Sequence, residues 1–192
     1  MSIIVYDDGY IPDSEFPDDQ RKAAKAFRKG RDLLVADGGG YANSIFTLFY
    51  RKSRGFTLLI QPDKTQEGPD VAGTWGYAFP HRKDKSGLLA EVAGGKLDLL
   101  IVTSDFLGNG KLRDALRMCP PEYVIVDHAE NIINKDSAYH RQYRRIPKLI
   151  QAFPKRPAIL ANTTAWKEQD RAGICLALGM LDWKSCAAPE QR

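Results

Sequence analysis

Apolar runs are short throughout the chain, and none approaches the roughly 18 residues needed to cross a bilayer, which argues against a helical membrane protein. Cysteine is scarce as well. The three present, Cys119, Cys175 and Cys186, are odd in number and share no CxxC spacing. Neither a zinc site nor a disulfide framework is indicated, and a reducing cytoplasm fits best. A strong charge of one sign is also missing. Against 24 Asp and Glu stand 28 Lys and Arg, a net charge of +4, which permits an anionic partner but falls far below the basic excess of a nucleic-acid coat protein. No repeat or low-complexity linker divides the 192 residues, and the N-terminus turns acidic within a few residues, unlike a secretory signal. With 43% hydrophobic residues, the composition is that of one soluble, cytoplasmic globular domain spanning 1–192.

What is present is an alternation. "RDLLVADGGG", "FTLLIQPD", "LDLLIVTSD", "YVIVDHA" and "AILANTT" are five short apolar runs, several nearly continuous, as strands covered on both faces should be. Between them, "PDDQRKAAKAFRKG" carries acids in its first turn and a glycine at its end, the signature of a helix. "YHRQYRRIPKLIQAF" and "WKEQDRAGICLALGM" also read as helices, with Pro147 kinking or breaking the first. Strands alternating with helices imply a parallel sheet with right-handed crossovers. The stretch "TQEGPDVAGTWGYAFPHRKDKSG" reads as a long connection inside that pattern. Four strands end on small, polar or acidic residues, which the carboxyl edge of an open parallel sheet gathers into one crevice.

In order along the chain, these segments resemble the first RecA-like domain of RecQ-type DNA helicases. "EFPDDQRKAAKAFRKGRDLLV", with Phe16 and Gln20, resembles the family's adenine-reading segment. "ADGGGYAN" resembles its phosphate loop, "TLLIQPD" the motif that follows, and "KLDLLIVTSDFL" the strand that ends there in Ser-Pro-Glu. "VDHAENIINKDSAYHRQYRRI" resembles the acidic box with its aromatic-rich loop, and "RPAILANTTAWKEQDRAG" the Thr-Ala-Thr coupling segment. The resemblance implies an α/β RecA-like three-layer sandwich with a mainly parallel central sheet, and a missing second helicase domain.

The departures fall on the chemistry. Where the family has Gly-Gly-Gly-Lys followed by Ser or Thr, this chain has Gly38, Gly39, Gly40, Tyr41 and Ala42. The lysine that reaches the phosphates and the hydroxyl that ligates magnesium are therefore both replaced. The Asp-Glu-Ala-His box reads Asp127-His128-Ala129-Glu130, with histidine in the place of the water-orienting glutamate. Glu130 lies three residues past the strand end and is expected to point elsewhere. Asp127 is then either a metal ligand without the rest of its site or an aspartate hydrogen-bonded at a strand end. The glycine turn either still cradles an anion on its N–H groups or is only a tight connection. Gln20 either reads a base, caps its helix or stays solvated, and the ring of Tyr41 either fills the former phosphate pocket or does not.

The segment Tyr139, His140, Arg141, Tyr143, Arg144 and Arg145 corresponds to the part of the family's loop that senses single-stranded DNA. Its usual tryptophan and phenylalanine read here as Lys135 and Tyr139, and the alternative is a solvated basic helix face. These features lead to a non-catalytic protein that needs no cofactor or metal. It is expected to act by docking on a nucleic-acid motor or on replication or DNA-transfer machinery, or by self-association. A stand-alone single-stranded DNA-binding protein is the alternative, and a residual nucleotide-binding ATPase comes third.

Overall fold

The computed structural model describes residues 13–36, 45–46, 48–49, 55–62, 77–78, 84–165 and 167–187. The strands are β1 (Leu33–Ala36), β2 (Thr57–Gln61), β3 (Tyr77–Ala78), β4 (Leu99–Thr103), β5 (Tyr123–Val126), β6 (Ala158–Thr163) and β7 (Lys184–Ala187). They form one sheet in the order β3-β4-β2-β5-β6-β1-β7. Every pairing is parallel, so each connection must cross over a face and helices cover both sides.

Alternation along the strands divides the core in two. Leu34, Leu58, Ile60, Leu100, Val102, Val124, Val126, Ile159 and Ala161 face one layer. Leu33, Val35, Leu59, Leu99, Ile101, Tyr123, Ile125, Ala158 and Leu160 face the other. Each set skips one residue at a time, as the period of two requires. All are buried, which is why these strands read as continuous apolar runs.

Helix α1 (Asp18–Arg28) covers the second face with Ala23, Ala24 and Phe27. Its buried positions Gln20, Ala23, Ala24 and Phe27 follow helical spacing, with Asp18 and Asp19 in the first turn and Lys25 and Arg28 in the last. The ring of Phe27 meets Phe49 at 4.7 Å and Tyr123 at 5.3 Å, within the range of favourable aromatic pairing. Helices α2 (Lys85–Ala93), α3 (Gly110–Met118), α4 (His140–Tyr143), α5 (Ile146–Gln151) and α6 (Glu168–Leu178) follow. Leu88, Leu112, Tyr143, Leu149 and Ile174 carry them into the first core.

Pro147 marks a break. It sits in the first turn of α5, where a missing N–H leaves no internal bond unmade. Two helices and two edge strands have no counterpart in the sequence reading. Within the stretch read as a long connection, Asp84 accepts the Gly87 N–H at 2.8 Å and starts α2. β3 lies in the same stretch, and β7 extends the sheet beyond β1. Among the described residues, no helix is long and apolar enough to cross a membrane.

Candidate functional site

The carboxyl ends of β5 and β6 meet in a single hydrogen-bond network. Asp127 follows β5, continues its ladder through N–H to the Ile60 carbonyl at 2.9 Å, and is fully buried. Its Oδ1 accepts from Asn162 Nδ2 at 2.8 Å and from the His128 N–H at 3.0 Å. The aspartate is thus joined to the neighbouring strand. Among the described residues, no group of three or more His, Cys, Asp or Glu side chains is arranged to hold a metal ion.

His128 has φ 50° and ψ 48°. A left-handed conformation in a side-chain-bearing residue costs of order 1–3 kcal/mol and persists only where its surroundings enforce it. Here the 3₁₀ turn Ala129–Ile132 starts immediately after it. That turn brings Glu130 back beneath the imidazole, and His128 Nδ1 donates to Glu130 Oε1 at 3.0 Å.

Glu130 turns back onto His128 and the end of β6. Thr163 Oγ1 donates to Oε2 at 2.9 Å, the Thr164 N–H to Oε2 at 3.3 Å, and Thr164 Oγ1 to Oε1 at 3.1 Å. Burial pushes the carboxyl pKa up, but the bonds from His128, from the backbone and from Thr163 outweigh it and hold the group down at about 2. The His128 pKa is raised, first by its bond to Glu130 and then, against the pull of burial, by the nearby Asp127 charge. Below the ordinary histidine value of 6.5 and above the glutamate's value of about 2, the pair is therefore a carboxylate and an imidazolium.

The same turn anchors the basic segment. Asn131 Nδ2 donates to the His128 carbonyl at 2.9 Å, its Oδ1 accepts from Ser137 Oγ, and its own carbonyl accepts from His140 Nδ1 at 3.1 Å. Tyr143 is fully buried, and its hydroxyl donates to the Asp127 carbonyl at 2.6 Å. This corrects the placement of Tyr143 with the nucleic-acid contacts: it belongs to the core, because a four-residue helix can face inward with only about one side chain per turn. Burial, followed by the Asp127 charge, raises its phenol well above the ordinary range. Arg141, Arg144 and Arg145 are exposed, while Tyr139 and His140 are partly covered, with Tyr139 packed against the first core. The guanidinium of Arg145 lies over Gly108, where a β-carbon would meet Nη1.

Other expected residues fall differently. Gln20 neither caps α1 nor is solvated: it is 7% exposed, and among the described residues its Oε1 has no hydrogen-bond partner. Gly38, Gly39, Gly40 and Tyr41 lie outside the described residues. Asn131, Thr163 and Thr164 complete the site without having been singled out. The threonines carried a signal in the coupling segment, whereas Asn131 had none, since only the tertiary turn brings it under His128.

No protein-family model matches the sequence, and no curated protein does. In three dimensions 221 solved chains match, so the backbone is a common one. One is the helicase domain of Pyrococcus furiosus Hef, at a TM-score of 0.57 and 14% identity, over 89% of this chain and 38% of that one. The chain thus spans well under half the length of that structure. At such identity the likeness is one of fold: this is a RecA-like α/β fold of the kind found in a helicase domain.

Proposed function

We propose that this chain is a RecQ-type helicase-like domain without ATP chemistry. It acts in the cytoplasm as an interaction and regulatory protein on a nucleic-acid motor or on replication or DNA-transfer machinery. The observation that carries this reading is the engagement of Glu130. The residue after Asp127 is an imidazole, and the nearest carboxylate is held by His128, Thr163 and Thr164. A carboxylate so occupied is poorly placed to orient a water, and Tyr41 and Ala42 supply neither the phosphate-reaching ammonium nor the magnesium-ligating hydroxyl. Phosphoryl transfer depends on such positioned charges, one of which, an arginine finger, is worth about 10³-fold or more in rate. Protein contact is supported by Leu176, 84% exposed on α6, and Leu181, 69% exposed just beyond it.

A second reading, a single-stranded DNA-binding protein, is favoured by the exposure of Arg141, Arg144 and Arg145 around the anchored Tyr143. Two measurements on the whole chain test the proposal. ATP turnover should stay at background with and without single-stranded DNA, and a DNA-stimulated turnover abolished by Asp127→Ala would sink it. Affinity capture from the native host should recover a nucleic-acid motor or replication factor. An empty capture beside salt-sensitive DNA binding would make the second reading primary.

A further inference from the structure

The ends of β5 and β6 are cross-bridged twice, by Asp127 to Asn162 and by Glu130 to Thr163 and Thr164. Glu130 takes four donors on its two oxygens. The turn that carries it also supports α4 from below. Asn131, the next residue, bonds the His128 carbonyl, Ser137 and His140, and Tyr143 closes the circuit onto Asp127. The side-chain bonds that hold α4, which carries Arg141 and leads into Arg144 and Arg145, thus run through residues 127–131, beside the packing of Tyr143 in the first core.

We propose that Glu130 is an internal latch: by fastening the 129–132 turn to the end of β6, it presets the arginine-bearing helix, so that no nucleotide is needed to order it. Glu130 is a positioning residue for that surface and makes no contact with a ligand. The physical basis is preorganisation, since groups ordered by the fold itself are not ordered at the expense of a binding event. This inference shares the arginine surface with the DNA-binding reading but concerns its ordering, so the two fail separately.

The test is amide hydrogen exchange on the full chain. In the wild type, residues 139–145 should be protected without nucleotide and unchanged by ATP with magnesium. Glu130→Ala should speed exchange about tenfold or more in 139–145 and 163–165 together, because charge-assisted bonds of this kind hold local opening down by that order. Strands β2 and β4 should stay protected in that variant. Thr164→Val, a change at an exposed position, keeps the test decisive should Glu130→Ala fold poorly, and should give a smaller rise in the same two segments. Unchanged exchange at 139–145 in Thr164→Val, or protection in the wild type that appears only with ATP, would overturn the latch. Loss of DNA binding has no bearing on these readouts.

Discussion

Arg156 grips Asp32 with both ends of its guanidinium, Nη2 to Oδ2 at 2.5 Å and Nη1 to Oδ1 at 3.2 Å. The carboxylate is 1% exposed and also accepts the N–H groups of Ile159 at 2.9 Å and Leu181 at 2.8 Å. One aspartate therefore ties the start of β1 to the start of β6 and to the segment leading into β7. Its charge is felt nearby: burial, then Asp32, pushes the Cys175 thiol up to about 12. Asp32→Ala leaves the Ile159 and Leu181 N–H groups without their acceptor, while Arg156, its side chain 35% exposed, keeps the Pro157 and Gly179 carbonyls, so unfolding free energy should fall by about 2–3 kcal/mol. Urea denaturation measures it, and a loss under about 1 kcal/mol would show the clamp to be ornamental.

The His128–Glu130 pair makes stability depend on pH from both sides. The histidine's raised pKa contributes stability that is full below its ordinary 6.5 and lost as pH rises through the raised value. The glutamate, lowered from 4.5 to about 2, contributes stability that is full above 4.5 and lost as pH falls toward 2. Both contributions coexist between 4.5 and 6.5. The advantage of wild type over Glu130→Gln should peak in that window and shrink on either side. Denaturation at about pH 3, about 5.5 and about 8.5 reads it directly, and a constant difference across the three would contradict the pairing.

The strands were legible because burial on both faces leaves its mark residue by residue: Leu58, Leu59 and Ile60 must all be apolar when each face has its own core. The break at Pro147 and the glycine-ended α1 were legible for local reasons. The edge strands were not, because a two-residue strand such as Tyr77–Ala78 carries no periodicity of its own. The site divides in the same way. Asp127 at the end of an apolar run marks a strand terminus from sequence alone. The return of Glu130 depends on His128 adopting a left-handed conformation, which its neighbours do not announce. Tyr143 was misplaced because it sits among arginines, and which side of a four-residue helix faces inward is decided by the core beneath it.

The arginine surface makes a quantitative prediction. If Arg141, Arg144 and Arg145 each meet a phosphate, replacing all three by glutamine removes three contacts. The slope of log affinity against log salt should then fall by about 2 for single-stranded DNA. Gly108→Ala should act more narrowly. Its new methyl group displaces the flexible end of Arg145, so stability should change by less than about 0.5 kcal/mol while DNA affinity drops. Titration by fluorescence anisotropy across a salt series separates the two, and an unchanged slope in the triple variant would place the contacts elsewhere.

Tyr143 offers the sharpest contrast between core and surface. Tyr143→Phe keeps the ring in the first core but removes the hydroxyl that caps the Asp127 carbonyl. A buried acceptor left without its donor costs about 1–3 kcal/mol, so the thermal midpoint should fall. A tyrosine that stacked on a base would behave otherwise, since phenylalanine stacks nearly as well and the fold would be indifferent to the change. Measured well below the melting transition, DNA affinity should match the wild type, because the arginines remain in place. A variant of unchanged stability and weakened DNA binding would return Tyr143 to the surface.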